Sequence, residues 1–295
     1  MKQKICSLIL LSCLLGLLLQ MPFFEAQTAE AKAATLYAPN YWNAYADYGD
    51  ELEYTSECFD DIYALFVQYG SNYQWIGNFQ NFDNPNVYFN NIYYAENNYE
   101  EIAVLSKGHI APQGGGSYSL VVKDTNPMYL GHANDIDISF TTKGNTNFAW
   151  IWHCATAMDY PGVVVAYWGP VFFRTSMPFA WTGNVGLNRN SVYHYYCTNF
   201  DQVFLGFIYY SPQFRDTTNY GNHDYGEFIV SVFTYMLEDG YSIDDALNAA
   251  SYDVLGTCYG SSTLHQGQYR GGQNQNMPVK WSYMQIYGNL DTGVL

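Results

Sequence analysis

A cysteine and a histidine each close a short apolar run in this chain. Cys154 ends Asn147-Phe-Ala-Trp-Ile-Trp-His-Cys154 and is followed by the small residues Ala-Thr-Ala. His109 ends Ile102-Ala-Val-Leu-Ser-Lys-Gly-His109. Runs of this length, bounded by turn residues and rich in aromatic and branched side chains, read as buried strands. In an open α/β sheet, ligands and chemistry collect at the carboxyl ends of such strands. A thiol becomes a useful nucleophile when a nearby imidazole takes its proton or stabilises the thiolate. We read the two strand ends as meeting in space as a Cys/His pair. Taken singly, each residue has a plainer role: a strand-end cysteine is often a small buried hydrophobe, and a lone histidine a structural one. His153 is expected to pack against or orient Cys154 rather than to act as a base.

Other constellations are poorer. His194, His223 and His265 could each serve Cys154 in the reverse order, but nothing local distinguishes one of them. His132, His153, Cys154 and His109 lack any recognised metal-ligand spacing. Asp135 with Asp137, or Asp244 with Asp245, sits in no calcium-binding loop; a solvated strand face and a helix cap explain them. Pro112-Gln-Gly-Gly-Gly116 has no Gly-Lys-Ser/Thr after it, so it is not a phosphate cradle. The Tyr and Trp surplus would suit sugar stacking but is spread through core strands. No cofactor and no metal is implied.

The formal charge is −16 with 11 basic residues, three of them (Lys2, Lys4, Lys32) near the N-terminus. Such a surface cannot displace counterions from a phosphate backbone, so nucleic acid is not an expected partner. Lys2 and Lys4 precede an apolar run from Ile5 to Leu19, and Ala29-Glu30-Ala31 offers a small-residue cleavage site. Residues 1–34 are therefore expected to be a signal peptide, with an uncleaved N-terminal anchor as the alternative. The rest of the protein would be extracellular, with no other membrane contact. Cys58, Cys154, Cys197 and Cys258 remain after the signal, and Cys197–Cys258 is a candidate bridge.

The elements that must position the pair follow from periodicity. Glu57 to Gln68 has helical spacing, with Ser56 as a cap. Gln74 to Phe79 is a candidate strand, and Asn84-Pro85 opens a second helix. The strand ending at His109 completes a helix–strand alternation expected of a parallel sheet. Leu36 to Asp50 reads as irregular, or as a propeptide. Tyr118 to Val122 is a short strand, Asp135 to Thr142 alternates like a half-exposed strand, and Pro178 to Gly183 reads as a loop. Apolar runs at 162–167 and 171–173 are left without a definite element. Val203 to Tyr210 is another buried strand. Tyr225 to Glu238 is a helix with one apolar face, and Ser242-Ile-Asp-Asp245 is a capping box opening another that ends at Gly256. Trp281 to Tyr287 is a late strand. The expected fold is one α/β domain over 35–295, a mainly parallel sheet flanked by helices in three layers.

This order resembles the caspase-like cysteine peptidases, a group that includes caspases, gingipains and CHAT-domain proteases. The matching features are strand-then-His at Val104 to His109 and strand-then-Cys at Phe148 to Cys154. The 45-residue separation (154 − 109 = 45) compares with about 50 in caspases. Val203 to Tyr210, and Phe233-Thr-Tyr-Met-Leu-Glu-Asp-Gly-Tyr-Ser with its following alanines, echo the closing strand and helices of the gingipain and CHAT groups. The resemblance implies Cys154 as nucleophile and His109 as general base, acting on peptide or protein substrates through an acyl-enzyme. It implies an oxyanion hole made by the Cys154 N–H and an N–H from the loop after His109, with Ile110 the candidate. Asp159 would face a basic P1 side chain. Glycine usually follows the family's histidine, whereas here Gly108 precedes it; a small residue usually precedes the cysteine, whereas here it is His153. The alternative function is an inactive extracellular binding or scaffold protein of the same fold.

Overall fold

In the computed structural model the chain is described for residues 31–40, 49–112, 118–122, 132–157, 177–182, 188–190, 195–197, 202–208, 210–216, 223–266, 268–270, 280–282, 284–291 and 293–294. The strands are β1 (Lys32–Pro39), β2 (Tyr73–Phe82), β3 (Glu101–Lys107), β4 (His109–Pro112), β5 (Tyr118–Val121), β6 (His132–Asn134), β7 (Thr146–Trp152), β8 (Asn188–Asn190), β9 (Tyr195–Cys197), β10 (Val203–Phe207), β11 (Arg215–Asp216), β12 (His223–Asp224), β13 (Gln268–Arg270), β14 (Lys280–Ser282) and β15 (Met284–Gly288). The helices are α1 (Gly49–Tyr69), α2 (Asn86–Asn98), α3 (Asp135–Thr141), α4 (Met177–Thr182), α5 (Tyr225–Leu237), α6 (Ile243–Ala250) and α7 (Thr263–Gln266).

The main sheet runs β2-β1-β3-β7-β10-β15-β9-β8. Its first five strands are mutually parallel, and β15 joins β10 antiparallel. Alternation along the strands sorts the interior into two cores. Phe148, Trp150 and Trp152 of β7 face α1, α5 and α6, packing with residues such as Phe59, Phe228 and Leu247. Ala149 and Ile151 face α2, α3 and α4, packing with Tyr88, Ile138 and Trp181. Helices cover both faces, so the central strands are apolar on both sides and read as continuous runs. The architecture is a three-layer α/β sandwich, and residues 31–295 form one compact unit. Among the described residues, no helix is long and apolar enough to cross a membrane.

Several elements differ from expectation. The stretch from Leu36 opens in β1, which lies between β2 and β3 and is almost wholly buried. Lys-Ala-Ala-Thr-Leu-Tyr-Ala-Pro is buried on both faces and carries no polar alternation to betray a strand. A removable propeptide there would take out a central strand. The strand also takes in Lys32 to Ala34, residues assigned to the targeting segment; a segment ending at Ala31 leaves it whole. Residues 1–30 lie outside the described residues.

Helix α1 starts seven residues before Ser56, which sits within it and caps nothing. Asp135 to Thr142 is no strand: Asn134 caps α3 by accepting a hydrogen bond from the Asp137 N–H, and Asp135 and Asp137 occupy the first turn, where carboxylates suit the helix dipole. Pro178 to Thr182 belongs to α4, with Trp181 buried. The late strand is two: β14 pairs with β13, and β15 enters the main sheet. The runs at 162–167 and 171–173 lie outside the described residues. Helix α5 is capped by Asp224, and Ser242 caps α6 by accepting from the Asp245 N–H. A π-helical turn, Ser251–Leu255, continues α6 and ends at Gly256 in the left-handed region (φ 74°).

Candidate active site

Strands β3 and β7 run parallel in a register that pairs Lys107 with Trp152. The ladder ends there, with the Gly108 N–H 3.5 Å from the Trp152 carbonyl, and His109 and Cys154 each lie two residues past that last pair, at the carboxyl edge of two neighbouring central strands. Cys154 stands two residues past the end of its strand, after His153. His109 does not end β3: the strand stops at Lys107, and after Gly108 the chain leaves the sheet and His109 opens β4, paired with Val121 in a small antiparallel sheet. Gly108 is required by what lies beside it. A Cβ there would stand 2.7 Å from His153 Cε1 and 3.2 Å from Pro39 Cγ.

His153 is fully buried and both its nitrogens are engaged. Nδ1 lies 2.8 Å from the His109 carbonyl oxygen, which can only accept, so Nδ1 carries the proton. Nε2, left bare, accepts from the Ser106 hydroxyl at 2.8 Å, and the Ser106 oxygen accepts from Tyr88 OH at 2.8 Å. Burial pushes the His153 pKa down to about 3, partly offset by the bond to the His109 carbonyl and helped by the Lys107 charge. His153 is thus a neutral tie between β7, β3 and the start of β4, through Ser106 and the His109 carbonyl. His109 is also held neutral, its pKa lowered to about 4 by burial and then by the Lys107 ammonium.

The Cys154 sulfur is half-buried and accepts the Ser211 backbone N–H at 3.3 Å; the Ser211 hydroxyl oxygen lies 3.5 Å away. The turn that presents it is tight. Ala155 is in the left-handed region at φ 55°, a conformation that costs a non-glycine residue of order 1 kcal/mol or more and recurs where function needs it. The Thr156 hydroxyl is 3.0 Å from both the Ile151 and His153 carbonyls, and accepts the Phe207 N–H at 3.3 Å. The Ala157 N–H bonds the Phe207 carbonyl, and the Ala157 carbonyl accepts Tyr287 OH at 2.6 Å. Gly206 gives Thr156 its room, since a Cβ there would lie 2.7 Å from the hydroxyl. A glycine inside the apolar run Val-Phe-Leu-Gly-Phe was the sequence signal for this close approach.

The stretch after β10 is anchored from several sides. Trp152 Nε1 donates to the Pro212 carbonyl at 2.8 Å. The Glu51 carboxylate accepts the Phe214 N–H at 2.6 Å and the Arg215 N–H at 3.1 Å. Glu51 also pairs with Lys107 at 3.1 Å, both side chains buried, and the Lys107 ammonium stands 5.2 Å from the Phe214 ring centre. Ser211, Glu51 and Thr156 were not singled out from sequence: a proline-adjacent serine and a helix-start glutamate carry no signature.

The other expected residues fall as follows. Ile110 lies in β4, paired with Leu120. Asp159 and His194 lie outside the described residues. His223 and His265 pack edge-on against Tyr225 and Tyr259. Cys58, Cys154 and Cys258 are free thiols, so the Cys197–Cys258 bridge is not formed. Among the described residues, no three His, Cys, Asp or Glu side chains cluster as a metal site. Comparison with protein-family models and with curated proteins finds no match for this chain.

Proposed function

We propose that this protein is an exported caspase-like cysteine peptidase in which Cys154 attacks the scissile carbonyl and His109 serves as the base. One observation supports the proposal: the β3–β7 ladder ends at Lys107 and Trp152, so that His109 and Cys154 each follow by two residues at the carboxyl edge of neighbouring parallel strands, Cys154 on a strained turn. The remaining support is topological. Strand β10 lies beside β7, and α5 and α6 pack on the same face, where the resemblance requires a closing strand and helix pair.

In the first half-reaction the thiol proton passes to the neutral His109 imidazole as sulfur bonds to the carbonyl carbon. The C–N bond then breaks and the proton leaves with the amine. Water, deprotonated by the same imidazole, releases the acid and restores the thiol. The Cys154 N–H and an N–H beside Ile110 are the candidate oxyanion donors. The acidic, cation-poor surface favours peptide over nucleic-acid substrates. Cleavage after Ala31 would export the chain with β1 complete.

A peptidyl electrophile that labels active thiols tests this. The wild type is expected to label and to cleave a fluorogenic peptide library, Cys154→Ala to do neither, and His109→Ala to lose at least about 100-fold in turnover. Undiminished labelling and turnover in His109→Ala would sink the dyad. The second reading, an inactive binding or scaffold protein, is favoured by the low proton affinity of buried His109, which makes it a weak base. It wins if no peptide is cut and Cys154 reacts no faster than an ordinary thiol.

A further inference from the structure

We propose that Ser211 is a further catalytic residue, one that stabilises the Cys154 thiolate with its backbone N–H and its hydroxyl. The inference rests on Cys154 being the nucleophile but not on His109 being its base. The N–H donates to sulfur at 3.3 Å whatever the sulfur's charge. The hydroxyl, 3.5 Å away, can do two things. It accepts the S–H of the neutral thiol, and once the proton has gone it can turn and donate its own. Deprotonation therefore leaves sulfur with two donors where the thiol had one, which favours the charged form.

The contact is built rather than incidental. Ser211 belongs to a stretch with three separate anchors. Its neighbour Pro212 is bonded to Trp152, two residues before Cys154 in β7. Three residues on, Phe214 gives its N–H to Glu51, which is paired with Lys107, two residues before His109. The Phe214 carbonyl accepts the Tyr225 and Gly226 N–H groups at the start of α5. The strands that deliver the thiol and the imidazole thus also fix the stretch that carries Ser211. Glu51 and Lys107 are positioning residues for this contact.

The test is the pH profile of Cys154 alkylation by iodoacetamide on the full chain, read by peptide-resolved mass spectrometry so that Cys58 and Cys258 are scored separately. In Ser211→Ala the Cys154 midpoint is expected to rise by about half to one pH unit. Ser211→Thr, which keeps the hydroxyl, should return it near the wild-type value, and Cys258 should not move. The double variant Glu51→Gln with Lys107→Met should shift Cys154 in the same direction as Ser211→Ala. A Cys154 midpoint unmoved, to within about 0.2 unit, in a folded Ser211→Ala protein overturns the proposal. So does a shift in Ser211→Ala that Ser211→Thr fails to reverse. Repeating the series in His109→Ala separates the two proposals. There the Ser211→Ala shift is expected whether or not His109 is the base, so its absence counts against the sulfur contact, while the turnover of His109→Ala alone counts for or against the dyad.

Discussion

At the scale of single residues, two histidines joined by a 2.8 Å hydrogen bond from the ring of one to the carbonyl of the other have different work. His153 spends both nitrogens on structure, while His109 lends its carbonyl to His153 and its ring is the base of the proposed dyad. Both are held neutral by burial, and this makes stability depend on acid. The His153 pKa falls from its ordinary 6.5 to about 3 on folding. Between those values the unfolded chain binds a proton that the folded one refuses, so stability is full above about pH 6.5 and drains as pH falls toward 3. From pH 7 to pH 5 this single residue should cost about 2 kcal/mol. Urea unfolding at the two pH values checks it: His153→Gln, which does not titrate, should lose about 2 kcal/mol less than the wild type. Equal losses in the two proteins would show that His153 is not the neutral, proton-refusing group described.

At the scale of elements, what was legible was what repeats. The apolar runs of β3, β7 and β10, the periodic face of α5 and the capping box of α6 announced themselves, and with them the parallel sheet. β7 was placed in the core because a run so aromatic can only be core, although it ends at Trp152, two residues short of Cys154. His109 was placed one strand too early, because the apolar run was read straight through Gly108, whereas β3 ends at Lys107 and Gly108 is the gap that admits His153. β1 was missed because a strand buried on both faces and built from alanines has no period. α3 was missed because Asp-Ile-Asp-Ile alternates, and the Asn134 cap that overrides the alternation is visible only once the chain turns.

The join between α2 and β7 was equally hidden. Buried Glu96 accepts the Lys143 and Asn145 N–H groups at 2.8 and 3.0 Å and the Thr146 hydroxyl at 2.7 Å. Asn145 returns two bonds, to the Glu96 and Tyr99 carbonyls that end the helix. This staple lies at the amino end of β7, away from Cys154. Glu96→Ala strands three donors, each costing about 1 kcal/mol or more when buried without a partner. A loss of about 3 kcal/mol in urea unfolding is expected, with Cys154 alkylation in the folded protein unchanged. A slowed or accelerated Cys154 reaction in Glu96→Ala would mean that β7 transmits strain along its length.

At the scale of the whole molecule, the chain carries few cations and buries one of them beside the site. Lys107 and Glu51 come from β3 and the start of α1, and the carboxylate reaches on to Phe214 and Arg215, 163 and 164 residues away. One ion pair therefore fastens the first helix, a central strand and the chain beyond β10. Its Coulomb gain is set against the desolvation of two charges, so the pair need not stabilise more than an apolar replacement would. Breaking it from one side is another matter. Glu51→Gln leaves the Lys107 ammonium buried without its carboxylate, and Lys107→Met leaves the carboxylate without its cation. Each single variant should cost about 3–5 kcal/mol, and the double variant clearly less than their sum. The Lys107→Met change should also raise the proton affinity of His109, since the ammonium is the second cause of its depression. Urea unfolding of the four proteins measures the coupling directly. If the double variant loses as much as the two singles added together, the charges act independently. The fastening would then lie in the backbone bonds from Glu51 to Phe214 and Arg215 alone.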